Sequence, residues 1–168
     1  EMIIIRDYNN SQYWPVWHHE MHSDGGFDRK MYLNDTGAVS GTDQRRVTSV
    51  SSTTFGLPEG AASGGYSESN HIGEEHIAYV FHSVTGYSKF SSYTGNGSAT
   101  GPSVTTGFKP AWLLIKRTTD EGWQIVDSTR NPNNTLTTSI SPNSSAAERD
   151  DLVDVDFTST GFQLKGTD

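Results

Sequence analysis

The sequence predicts an all-β fold, an antiparallel β-sandwich of the jelly-roll or lectin-like kind, and three observations carry that expectation. Short segments rich in Thr, Val, Ile, Tyr, Phe and Trp alternate between two faces, as in 75–82, where Ile77, Tyr79 and Phe81 share one side. Turn chemistry separates them: Asp24-Gly25-Gly26, Ser63-Gly64-Gly65, Thr94-Gly95-Asn96-Gly97-Ser98 and Asn131-Pro132-Asn133-Asn134. Helical signals are scarce, and only 144–152 carries one, an S-x-x-E capping box at Ser145 and Glu148 that supports two turns at most.

The elements follow an internal repeat, read before anything else because a missed repeat misassigns a fold. The apolar run 1–7, a strand, lies on 111–117 at an offset of 112 − 2 = 110. The segment 14–18 lies on 123–127, at 123 − 14 = 109, and 50–57 lies on 157–164, at 157 − 50 = 107. Three blocks in one order with a drifting offset predict a tandem repeat with two partial copies. Residues 1–84 form the first, incomplete at its N-terminal side, and 85–168 the second, incomplete at its C-terminal side. The strand at 75–82 closes the first copy and 86–110 leads into the second, so the expectation is a window on a longer chain. Trp14, Trp112, Trp123, Phe55 and Phe162 are expected in the core, and the turns at Gly25-Gly26 and Gly95-Asn96-Gly97 at the surface.

Composition narrows the function classes. Among 168 residues, 20 Asp and Glu outweigh 12 Lys and Arg, giving a net charge of −8 and a pI near 5.1. An acidic chain lacks the electrostatic footprint that phosphate backbones require, so nucleic acid is not an expected partner. Apolar runs such as 2–5 are too short for membrane insertion. Without cysteine there is no disulfide, thiolate metal site or cysteine nucleophile. Aromatic residues at 11% argue against a disordered chain.

Specific strings then carry a resemblance. They are Y-T-G-N-G at 93–97, G-F-x-P at 107–110, the apolar strand ending I-K-R at 115–117, W-x-I-x-D-S-x-R-N at 123–131, N-S-S-x-A-E at 143–148 and F-x-S-x-G-F-x-L at 157–164. From about Val80 onward the chain resembles a repeated β-sandwich domain of uncertain function in virion and tail-fibre structural proteins of marine, cyanophage-like tailed phages. The first copy departs from that pattern at Trp17-His18-His19, so a site there would be particular to this protein. The resemblance implies a virion appendage and an extracellular particle, and it supplies no catalytic residue.

Candidate sites were weighed on chemistry. His18, His19 and His22 have zinc-like spacing only on a helix, which Pro15 and Gly25-Gly26 disfavour, so no metal is expected. Tyr8, Tyr13, Trp14 and Trp17 form the densest aromatic group. Alternation places Trp14 in the core, in step with Trp123, and turns Tyr13 and Trp17 outward as a stacking platform for sugar rings or a partner. With His18, His19, Tyr66 and Tyr87 these two make up the candidate glycan or partner contacts. Glu74 and Glu75 are adjacent and point to opposite faces of a strand. Asp154 and Asp156 read as the solvent side of an amphipathic one, so no catalytic carboxylate pair is expected. The leading expectation is a non-catalytic structural module without cofactors, partnered by other virion or fibre subunits as a homo-oligomer. The alternative is a carbohydrate-binding module for host surface glycan, with a polysaccharide depolymerase third.

Overall fold

The computed structural model describes residues 1–21, 27–40, 46–60, 67–150 and 153–166. Nearly every element is a β-strand in an antiparallel sheet, and the fold is an all-β sandwich. Two compact units divide the chain, one of residues 1–82 with 117–121, the other of residues 83–116 with 122–168.

In the first unit a four-stranded sheet runs in the order β3 (Met31–Tyr32), β2 (Pro15–His18), β1 (Met2–Asp7), β6 (His76–Phe81). Strand β1 is apolar on both faces because it is covered on both, the composition of a central strand. Its register sets Ile3 opposite Trp17, and these two with Ile5 make one face. Val47 and the hairpin β4 (Ser49–Val50) with β5 (Phe55–Gly56) complete that unit, Val47 and half-buried Phe55 packing on the same cluster. A short helix α1 (Ser67–Asn70) precedes β6.

In the second unit the hairpin β8 (Trp112–Ile115) with β9 (Gln124–Asp127) faces the sheet of β10 (Val155–Thr158), β11 (Gly161–Leu164) and β7 (Ser103–Thr105). Val126, Leu136, Val155, Phe157 and Phe162 form its core, with Leu113 and Val104 packed against them. Gly161 is required by close approach: a Cβ there would overlap the Val104 carbonyl oxygen, which belongs to the paired β7 backbone.

Strand ends are closed by side chains. The buried Asp7 carboxylate accepts the N–H groups of Asn9 (2.9 Å) and Asn10 (3.0 Å) where β1 turns. Asp127 does the same for Thr129 (3.0 Å) and Arg130 (2.9 Å) at the end of β9, and Arg130 also pairs with it. Burial pushes both carboxyls up, but the hydrogen bonds outweigh it and hold each below the usual carboxylate range.

Several expectations need correction. Trp17, not Trp14, enters the core: it is 7% exposed and stacks on Phe27, because pairing with Ile3 fixes its face. Trp14 is half-buried beneath the Arg6 guanidinium, 4.4 Å from its ring centroid. Trp112 is 55% exposed, since β8 pairs only with β9 among the described residues. No helix forms over 144–150: a bridge between Ser139 and Arg149 holds that stretch extended, and Glu148 binds Arg130 rather than capping a helix. Trp123 and Phe162 are buried as expected, and Gly95, Asn96 and Gly97 lie at the surface. Gly25 and Gly26 lie outside the described residues.

Two substitutions test this packing by chemical denaturation. Trp17→Ala is expected to cost about 3–5 kcal/mol as a buried aromatic truncation, whereas Trp112→Ala stays within about 0.5 kcal/mol of wild type as a surface change. Gly161→Ala is expected to cost about 1–3 kcal/mol, because backbone must move to admit one methyl group.

Candidate functional site

Strand β2 and the turn after it position the histidines. His18 ends β2, and a 3-10 turn, His19–Met21, follows. The His18 Nδ1 atom accepts the Glu20 N–H at 3.2 Å, a bond open only to the unprotonated nitrogen. Burial, then the neighbouring His19, pushes the His18 imidazole down to about 4, so at neutral pH it is a neutral structural acceptor. The His18 and His19 rings lie 4.9 Å apart, and His19 faces Glu20 at 3.7 Å. With one His18 nitrogen already engaged by backbone, the pair is arranged to close a turn. His22 lies outside the described residues.

A second grouping was not visible in the sequence. Tyr13, 48% exposed, stacks on Tyr32 of β3 with ring centroids 4.5 Å apart and planes at 27°. The Tyr32 hydroxyl donates to both Glu68 carboxylate oxygens, at 2.8 and 2.7 Å, and accepts from Lys30. Arg46, 2% exposed, donates from Nε to Glu68 at 2.6 Å, and Lys30 Nζ lies 3.7 Å from the same carboxylate and over the Tyr32 ring. Burial, reinforced by Glu68, pushes the Tyr32 phenol up, while burial and the nearby Arg46 push the Lys30 ammonium down. Lys30, Arg46 and Glu68 are separated by 16 to 38 positions, so no local motif announces them. Their effect is mechanical: Glu68 and Lys30 hold the Tyr32 hydroxyl, Arg46 holds Glu68, and Tyr32 stacks against the outward Tyr13 ring.

The predicted contact residues are therefore dispersed. Tyr13 presents an open ring face; Trp17 is withdrawn into the core; His18 and His19 are half-buried in their turn. Tyr87, 82% exposed, sits in the second unit within the turn closed by Val84 and Ser88. Tyr66 lies outside the described residues. Asp156 accepts from the Thr135 hydroxyl at 2.8 Å and pairs with Lys165 at 3.2 Å, which engages its carboxylate in the sheet surface. Apolar side chains are also exposed on the edge strand β6, notably Tyr79 at 45% and Val80 at 60% on opposite faces.

One family model matches the chain, a domain of unknown function (DUF7483), over residues 1–168. No curated protein matches, and no solved structure matches. Among the described residues no helix is long and apolar enough to cross a membrane.

The titration of these groups gives a two-stage acid profile. His18 has its proton affinity lowered on folding, so its contribution is complete above the ordinary histidine value of 6.5 and is lost as pH falls from there toward about 4. Asp7 and Asp127 act lower, their contribution lost as pH falls below the ordinary 3.8. Denaturant midpoints measured against pH are expected to show both windows. His18→Gln removes the upper one and Asp127→Asn reduces the lower.

Proposed function

Because the chain belongs to the DUF7483 family, a domain of unknown function, its role must be read from its surfaces, and we propose a non-catalytic structural module of a phage virion or tail-fibre assembly. The sequence resemblance from Val80 onward supports the setting, and the observation that carries the assembly role is strand β6. Edge strands in soluble proteins are blunted by lysine, proline, bulges or brevity. This one is six residues long, His-Ile-Ala-Tyr-Val-Phe, without Lys, Arg, Asp or Glu and with apolar groups exposed on both faces.

The occupant that best fits this edge is a second copy of the same strand. Antiparallel pairing of two β6 strands about a two-fold axis lays one apolar ladder against an identical one, with the backbone groups of His76, Ala78 and Val80, which point away from β1, facing the other copy. The two four-stranded sheets then become one continuous sheet with no exposed apolar edge at the join. A net charge of −8 per chain gives long-range repulsion, so association rests on this local match.

A carbohydrate-binding role is the second reading, favoured by the Tyr13 ring held open by Tyr32 and its charged support. Such a face stacks on the apolar side of a pyranose ring.

Sedimentation equilibrium separates the readings. Wild type is expected to self-associate, and Val80→Lys, which places a charge on the exposed edge, is expected to be monomeric with an unchanged circular dichroism spectrum. A monomeric wild type would contradict the assembly role. Retention of glycan on an array by wild type, lost in Tyr13→Ala at unchanged stability, would establish the second reading.

A further inference from the structure

The strand registers of the two units coincide pair by pair. In β1 and β2, Met2 faces His18, Ile3 faces Trp17 and Ile4 faces Val16; in β8 and β9, Trp112 faces Asp127, Leu113 faces Val126 and Leu114 faces Ile125. The next strand follows suit, since Val16 pairs with Met31 and Ile125 bridges to Ile140. The bridge from Lys30 to Ser40 corresponds to the bridge from Ser139 to Arg149, each residue displaced by 109. The later hairpins agree as well: Ser49 with Gly56 and Val50 with Phe55, against Asp156 with Gln163 and Phe157 with Phe162, displaced by 107.

Side-chain roles correspond at the same displacements. Asn34 Oδ1 accepts the Trp14 N–H at 2.8 Å, and Asn143 Oδ1 accepts the Trp123 N–H at 2.8 Å. His18 Nδ1 caps Glu20 and Asp127 Oδ1 caps Thr129. The cores match too, Ile3 with Leu113, Trp17 with Val126, Phe27 with Leu136 and Phe55 with Phe162. Apolar strands resemble one another easily, but slipping one by a single residue would turn its side chains to the wrong face and break every pair above.

Strand β6 has no counterpart among the described residues of the second unit. Strand β1 is covered along its whole outer edge by β6, from Met2 opposite Phe81 to Asp7 opposite His76. Strand β8, equally apolar, pairs only with β9 among the described residues, and Trp112 is half-exposed where its counterpart Met2 is buried. A run of Trp, Leu, Leu and Ile has the composition of a strand covered on both sides.

We infer that the two units are copies of one β-sandwich repeat, and that the open edge of β8 is a binding site for an antiparallel strand of the His76–Phe81 type, delivered by a further copy of the repeat. Backbone hydrogen bonds supply the affinity and alternate apolar side chains the register, the chemistry of strand complementation. The unit-one pairing predicts the register: the counterpart of Phe81 falls opposite Trp112 and that of Val80 opposite Leu113. The site is one-sided. Pairing of β7 with β11 needs Gly161, whose counterpart is Thr54, so β5 cannot take a strand seated as β7 is.

The test extends the chain at its C-terminal end with a second copy of residues 58–84. A control carries the same extension with Ile77→Pro and Tyr79→Pro in the added copy, which remove the N–H groups that β6 directs at its partner strand. Trp112 emission is isolated by subtracting spectra of the Trp112→Phe variant of each form. The expected result is a blue shift of Trp112, slowed exchange of β8 amides and a raised thermal midpoint in the extended chain, all absent in the proline control. Unchanged Trp112 emission and exchange in the extended chain, or equal effects in the proline control, would overturn the inference. Val80→Lys in the original copy leaves this readout unaffected, which separates it from the association of β6 edges.

Discussion

The placement of Ile3 directly across from Trp17 decides the first unit. Side chains on a strand alternate between faces, so this one pairing commits Ile3, Ile5 and Trp17 to the face covered by Val47 and Phe55, and commits Met2, Ile4 and Val16 to the other. The same pairing sends His18 to the end of β2, where its ring caps the following turn, and leaves Tyr13 before the strand, free to stack on Tyr32. In the second unit Leu113 across from Val126 has the same consequence, carrying Val126 into the cluster with Leu136, Val155, Phe157 and Phe162.

Polar groups complete what the apolar pairing begins. A buried carboxylate is tolerable only when hydrogen bonds replace its water, and Asp7 and Asp127 each meet that condition with consecutive backbone N–H groups at a strand end. Glu68 meets it with Tyr32, Arg46 and Lys30. Removing Glu68 alone would leave two cations in a shared, largely buried place, which is more disruptive than the bridge is stabilising. The cluster thus braces the Tyr32 ring on which Tyr13 stacks.

Much of this was legible in the sequence, and the exceptions have physical causes. Period-two alternation and turn residues located the strands of both units, and the block offsets near 109 located the positions whose registers coincide. Facing was misjudged at Trp14 and Trp17 because Pro15 intervenes and Trp14 precedes the strand, where strict alternation does not apply. Trp112 was assigned to the core from the apolar character of its strand, which describes what β8 favours and not what covers it. The capping box at Ser145 and Glu148 failed because Arg130 offers Glu148 a charged partner and the bridge to Ser139 fixes the backbone. The Tyr32 brace was invisible because its members meet only through tertiary packing.

Both units present strand edges whose side chains are more apolar than water favours, β6 in the first and β8 in the second, and the proposed structural role in a larger β assembly would cover them. The most direct measurement is an electron cryomicroscopy map of the intact assembly at side-chain resolution, inspected along those two edges. The account predicts continuous antiparallel ladders, with a strand lying against β8 so that Trp112 is enclosed and Val80 withdrawn from solvent. A map in which β8 and β6 border bulk water, in a particle whose subunits meet elsewhere, would contradict it.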